Sequence, residues 1–206
     1  MTEKKTTGIP IVLSAASGTG KTTLGHKLRL NCPGITLSIS YTTRAPRKGE
    51  THGVDYFFVD NPTFDAMLQT QAFLEWAEVH GHRYGTAWSE VTHRLNAGED
   101  VLLDIDVQGG KQIRQRYASS LLIFLLPPSL RELMRRLRQR GTESDADFQR
   151  RMIAAKREIE EASIYDYLVV NDNLNHATEQ LAQIVKAERL RRIDKNALIE
   201  RIVRDH

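Results

Sequence analysis

The sequence predicts an α/β fold: a parallel sheet covered by helices on both faces, with an inserted subdomain. The runs at residues 9–14, 101–105 and 121–126 are apolar without alternation and rich in branched residues, the pattern of strands buried on both faces. Each is followed by a segment whose apolar residues have helical spacing, and strands alternating with helices form parallel sheets. Residues 41–88 break that alternation and are assigned to the insertion.

In chain order, the polar residues 2–7 are expected to fray. The strand at 9–14 leads through a glycine-rich turn into a helix at 22–30, and 37–40 is read as the next strand. Within the insertion, 54–59 and 73–79 are read as strands of a smaller, partly exposed sheet. Asn61 before Pro62 starts a helix whose Phe64, Met67 and Leu68 share one face. After the run at 121–126, Ser129 and Glu132 have the spacing of a capping box for a helix that ends at Gly141. Ser144 starts a long charged helix, 167–170 is a last short strand, and the C-terminal region is helical. Leu190, Ile193, Ala197 and Leu198 give its end an apolar face, for the core or for a second copy; the sequence leaves a homo-oligomer open.

With 206 residues, 40% hydrophobic and 27% charged, the chain suits one well-buried core rather than two domains. A net charge of +3 is too mild for a nucleic-acid coat and fits an anionic ligand. Cys32 is the only cysteine, which excludes an internal disulfide and fits a reducing, cytoplasmic compartment. The apolar stretch at 9–16 is too short to cross a bilayer and lacks a cleavage site, so neither signal peptide nor membrane anchor is expected. His80, His82 and His93 lie close in sequence without the partners of a metal site, and are read as surface or hydrogen-bonded histidines.

"SAASGTGKTT" supplies the first chemistry. Gly18, Gly20, Lys21 and Thr22 match a phosphate-binding loop, between a buried strand and a helix as that motif requires. Glycines let backbone N–H groups curl around phosphate oxygens, and the helix N-terminus adds its positive dipole end. Lys21 is expected on the terminal phosphates and the Thr22 hydroxyl on Mg²⁺. Ala15 replaces the first glycine of the pattern, a minor departure. Asp106-Val-Gln-Gly109 mimics a GTPase element, but the Asn-Lys-x-Asp base-recognition motif is missing. Asp104 and Asp106, at the carboxyl end of a buried strand, therefore read as metal-side and substrate-side acids.

Beyond the loop, "SYTTRAPRKGE", "GVDYFFV", "FLEWAEVHGHRYGT", "LLDIDVQGG", "RLRQRGTES" and "VVND" together resemble the guanylate kinases over roughly residues 8–190. The resemblance implies phosphorylation of GMP to GDP with MgATP. It implies a core of about 8–40, 100–135 and 166–206, a GMP-binding subdomain at about 41–88, and a short arginine-rich lid at about 136–151. Arg44, Arg47, Tyr56 and Tyr84 would grip the GMP phosphate, Ser40, Glu75 and Thr86 would read guanine, and Asp106 would lie near the bound nucleotide. Ala15, Ala16, Ser17, Gly18, Thr19, Gly20, Lys21, Thr22 and Thr23 would hold ATP, with Asn171 near adenine and Asp104 near magnesium. Arg136, Arg140 and Arg151 would come from the lid and its adjoining helix and, with Lys21 and Arg44, carry the catalytic charge. Membrane and nucleic-acid partners are not expected.

Elementary chemistry agrees with those roles. A phosphate monoester needs charge-assisted donors, which the two arginines and two phenols supply. Glu75 sits in the apolar stretch Phe73-Leu74-Glu75-Trp76, where an unpaired carboxylate is costly. Guanine presents N1–H and its 2-amino group side by side, two donors for one carboxylate, whereas adenine presents a bare N1. Arg136 and Arg140 are one helical turn apart, while Arg131, Arg135 and Arg138 point elsewhere and read as solvated. Two other classes fit the scaffold: a peptide-binding module with a degenerate phosphate loop, and a kinase for a different phosphorylated small molecule. Lys21 and Thr22 argue against the first, and Ser40, Glu75 and Thr86 against the second.

Overall fold

The computed structural model describes residues 7–79, 81–139, 145–193 and 195–204. Its central strand is β1 (Pro10–Ala15), followed by α1 (Lys21–Asn31) and β2 (Ile35–Leu37). β3 (Tyr41–Thr42), β4 (Phe57–Phe58), α2 (Asn61–Gln69), β5 (Phe73–Val79) and β6 (His82–Ala87) come next. The chain continues through α3 (Trp88–Asn96), β7 (Asp100–Asp104), α4 (Val107–Arg116), β8 (Leu121–Leu126), α5 (Leu130–Gln139) and α6 (Asp145–Glu160). It ends with β9 (Tyr167–Val170), α7 (Leu174–Arg191) and α8 (Lys195–Arg204).

The main sheet has the order β2-β7-β1-β8-β9, and every pairing in it is parallel. Its strands carry apolar residues on both faces because helices cover both. Ile11 and Leu13 of β1 join Leu102, Ile123 and Leu125 beneath Leu24 and Leu28 of α1 and Leu181 and Val185 of α7. Val12, between them in sequence, points the other way, with Leu103, Leu122 and Phe124 beneath Val91 and Leu95 of α3 and Ile113 of α4. A third cluster joins Ala16 to Leu133 and Leu137 of α5 and Phe148, Met152 and Ala155 of α6. No helix among the described residues is long and apolar enough to cross a membrane.

The stretch from Tyr41 to Ala87 builds a second sheet, β4-β3-β6-β5, antiparallel except for β3 beside β4. Here the predicted strand at 54–59 shrinks to Phe57–Phe58. Gly53 adopts a φ of 78°, and the Val54 and Asp55 N–H groups donate to the Thr51 carbonyl, so a turn consumes the first residues. The strand expected at 37–40 lies earlier, at Ile35–Leu37. Ser38 ends it with side chain and N–H both donating to the Leu102 carbonyl.

The starts of α2 and α5 follow side-chain chemistry. Asp60, not Asn61, caps α2, accepting the Thr63 N–H at 2.9 Å, with Pro62 in the first turn. Half of the predicted capping box forms: Ser129 accepts the Glu132 N–H at 3.1 Å, but the Glu132 carboxylate turns to Arg135 and Arg136 instead. Gly141 and Ser144, the expected end of α5 and start of α6, lie outside the described residues. Arg138 is not simply solvated; its guanidinium stacks 4.9 Å from the centre of the Phe148 ring. Leu190 and Ile193 remain exposed.

Candidate active site

The loop after β1, Asp104 at the end of β7 and Asn171 after β9 meet at the carboxyl edge of the main sheet, where open α/β sheets bind ligands. Gly18 and Gly20 have φ of 92° and 101°, a region glycine enters without steric cost. Each also faces a close neighbour: a Cβ on Gly18 would lie 2.9 Å from Leu137, and one on Gly20 2.8 Å from the Asn171 amide. Lys21 opens α1 and reaches back to β7, 2.5 Å from Asp104 and donating to the Ile105 carbonyl at 2.9 Å. Ala15 is half-buried and Ala16 buried, while Thr22 and Thr23 are exposed on the first turn of α1.

Two arginines reach the loop from α5 and α6. Arg136 donates to the Thr19 carbonyl at 3.3 Å, to the Asn171 carbonyl at 3.2 Å and to Glu132 at 2.8 Å. Arg151 donates to the Ser17 hydroxyl at 2.8 Å. The buried Asn171 amide donates to the Thr19 carbonyl at 2.7 Å. Beside them a cavity of about 480 Å³ is lined by Gly18, Thr23, Arg136, Gln139, Asn171 and Leu174. Arg140, expected with this group, lies outside the described residues.

Across from the loop, the second sheet gathers a different set. Glu75 is only 3% exposed, and its Oε1 accepts the Thr86 hydroxyl at 2.6 Å. Ser40 is 3.3 Å from the same hydroxyl, so the three predicted edge-reading residues form one chain. Burial pushes the Glu75 carboxyl up to about 7; the Thr86 hydrogen bond opposes the rise, the charge of Asp106 adds to it, and that of Lys21 opposes it. The other Glu75 oxygen lies against Gly109 in the first turn of α4, where a Cβ would sit 2.5 Å from Oε2. Asp106 caps α4 through the Gly109 N–H at 2.9 Å. Arg44 forms a two-pronged pair with Glu50 at 2.9 and 3.0 Å, and lies 5.5 Å from the centre of the Tyr56 ring. The Glu50 bond raises the Arg44 guanidinium pKa, with Tyr84 contributing, and the two tyrosine rings lie 6.0 Å apart. Burial, followed by the negative charge of Asp104, pushes the Tyr56 phenol up. The Arg47 side chain is exposed, while its backbone N–H donates to Glu50 at 2.7 Å.

The site thus has a glycine loop and lysine on one side and a buried carboxylate, hydroxyls, phenols and arginines on the other. Compared with known families, residues 7–188 match the family described as Guanylate kinase. This chain belongs to the guanylate kinase family. It is 50% identical over 186 residues to the guanylate kinase of Myxococcus xanthus (strain DK1622), covering 90% of this chain and 89% of that one. To that of Geobacter sulfurreducens it is 47% identical over 187 residues, covering 91% and 92%. The crystal structure of guanylate kinase from Anaplasma phagocytophilum superposes with a TM-score of 0.74 at 34% identity, over 89% of this chain and 87% of that one.

In this guanylate kinase chain, two carboxylates at the site escaped the sequence reading. Glu50 closes a turn on the Arg47 carbonyl and meets both arginines of its segment. The signal was present, an acid three residues after Arg47 with Gly49 between. Glu158, seven residues after Arg151 and so on the same face of α6, accepts the Ser17 N–H at 3.3 Å. Burial pushes its carboxyl up, and the Ser17 bond restrains it.

Proposed function

We propose that the chain transfers a phosphoryl group from MgATP to GMP, giving ADP and GDP, in purine nucleotide metabolism, with ATP on the loop side and GMP on the second sheet. The observation that carries this reading is Glu75, buried, hydrogen-bonded by Thr86 and with its second carboxylate oxygen against Gly109 in the first turn of α4. Its ionised carboxylate accepts from both guanine N1–H and the 2-amino group, with Ser40 and Thr86 completing the polar edge. Arg44, Arg47, Tyr56 and Tyr84 hold the acceptor phosphate. Glu50 already presents an oxyanion to the Arg44 fork, the chemistry that an acceptor phosphate offers the same N–H groups.

Backbone N–H groups of residues 15–23 cradle the ATP phosphates, Lys21 lies along the terminal ones, and Asn171 lies near adenine. The Thr22 hydroxyl and Asp104 carboxylate are hard oxygen donors. They suit Mg²⁺, which keeps several waters and takes few protein ligands beside substrate phosphates. Bound with ATP, the ion neutralises charge on the phosphates. Asp106 lies near the bound GMP. The attacking oxygen belongs to a phosphate already ionised at neutral pH, so no general base is required.

The obstacle is electrostatic. At an effective dielectric of about 20, each like unit pair ~4 Å apart repels by roughly 4 kcal/mol. Lys21, Arg44, Arg47, Arg136, Arg140 and Arg151 offset that repulsion and stabilise charge on the transferred group. The insertion at about 41–88 closes over GMP and the lid at about 136–151 over ATP, which keeps water from the reacting phosphoryl. The lone buried Cys32 supports a reducing, cytoplasmic setting. A coupled assay of ADP formation with a panel of nucleoside monophosphates tests the reading. Turnover is expected with GMP and only weakly with AMP, CMP or UMP; turnover with none of them, or with AMP equal to GMP, would overturn it.

A further inference from the structure

Strand β5 is the outer strand of its sheet, so backbone groups on its free side have no strand partner. Side chains of α4, a helix of the main layer, take that place. The Gln112 amide donates to the Trp76 carbonyl at 2.6 Å, and its oxygen accepts the Trp76 N–H at 3.2 Å. Arg116 donates to the Phe73 and Leu74 carbonyls at 2.9 and 2.7 Å. At Gly109 the helix has no side chain, and a Cβ there would sit 2.5 Å from Glu75 Oε2. Gly109, Gln112 and Arg116 follow i, i+3, i+7 spacing, one stripe of the helix. Their contacts bracket Glu75 from both sides along the strand and at its carboxylate.

On its other side β5 pairs with β6, and that register shifts between Phe73 and Glu75. A bulge leaves the local ladder incomplete, so it does not by itself fix the backbone that carries Glu75. We infer that Gln112 and Arg116 are positioning residues for acceptor-base selection: they hold the Glu75 strand from α4, and Gly109 keeps the space its carboxylate occupies. Asp106 caps the same helix and its carbonyl accepts the Ser14 hydroxyl of β1 at 3.3 Å, so one rigid element joins the strand before the phosphate loop to the base reader. This inference rests on the reading of Glu75 as the guanine reader.

Misplacing a reacting or recognising group by about 1 Å costs on the order of 10²-fold. The experiment compares wild type, Gln112→Ala/Arg116→Met and Gly109→Ala with GMP and with IMP, which keeps N1–H but lacks the 2-amino group. Thermal unfolding is recorded for each. Both variants are expected to raise the KM for GMP about tenfold and to lower the GMP-to-IMP ratio of kcat/KM about fivefold, with the KM for ATP within about twofold of wild type. A purely structural role would lower stability and turnover with both nucleotides together and leave the ratio unchanged. A double variant that does not fold leaves the test to Gln112→Ala alone, which removes one amide near the surface and carries the same expected direction. Folded variants that keep the wild-type ratio would overturn the inference while leaving the role of Glu75 intact. A wild type indifferent between GMP and IMP would instead overturn that role, and this inference with it.

Discussion

Burying a carboxylate costs free energy, and at Glu75 the cost has a pH signature. Its carboxyl is raised to about 7, first by desolvation, above the usual 4.5. The contribution of this group to folding is therefore complete below pH 4.5 and lost as the pH rises through 7. Glu75→Gln should be more stable than wild type at pH 8, by on the order of 3 kcal/mol, and the gap should close toward pH 4.5. Function runs the other way, because guanine needs the ionised acceptor. Below pH 7 the kcat/KM for GMP should fall about tenfold per unit in wild type. Glu75→Gln should lack that limb. The limb from the acceptor phosphate, with its second pKa at about 6, is common to both enzymes, so their difference isolates Glu75. Thermal unfolding and kcat/KM profiles between pH 5 and 8 check both signs. Glu75 was legible in the sequence because an acid amid Phe73, Leu74 and Trp76 demands a partner. Glu50 carried a weaker signal, an acid three residues after Arg47, and its two-pronged hold on Arg44 is seen only in the fold.

Among the elements, β1, β7 and β8 were the easiest to read, since burial on both faces leaves an unbroken apolar run. The second sheet was harder. Its strands are short and partly exposed, and the 54–59 segment carries strand-like residues in a turn that Gly53 and the Thr51 carbonyl define. The start of α2 at Asn61 was legible from Pro62, while its cap, Asp60, was not singled out. In the bent segment 38–50, Arg44 is held by Glu50 six residues on and lies over the Tyr56 ring, contacts that no periodicity encodes. The ground-state contacts proposed for Arg44 and Arg47 are to the acceptor phosphate and not to ATP. Arg44→Ala should thus raise the KM for GMP about 10- to 100-fold, the worth of one or two charge-assisted hydrogen bonds, while the KM for ATP stays within about twofold. Steady-state kinetics with each substrate varied in turn checks this; equal rises in both constants would remove the segment from the acceptor site.

At the scale of the whole molecule, the parallel sheet places a phosphate loop, Asp104 and Asn171 on one edge, and the inserted sheet carries the buried Glu75 opposite them. The loop was legible because its motif is local, a strand, a glycine turn and a lysine in sequence. The coupling of α4 to β5 was not, because Gln112 and Arg116 are ordinary helix residues until the fold sets them against the outer strand. The central claim is that this opposition is a phosphoryl-transfer site whose acceptor is chosen by one carboxylate. Its most direct test is kcat/KM for GMP and AMP, at saturating MgATP, in wild type and Glu75→Gln. A site built to hydrogen-bond a donor rejects analogues lacking it by about 10⁴–10⁵, so wild type should favour GMP over AMP to that extent. Glu75→Gln, whose amide can donate to the bare adenine N1, should lose activity with GMP and narrow the ratio by at least about 100-fold. A wild type that uses AMP as well as GMP, or a Glu75→Gln enzyme whose ratio is unchanged, would contradict the account.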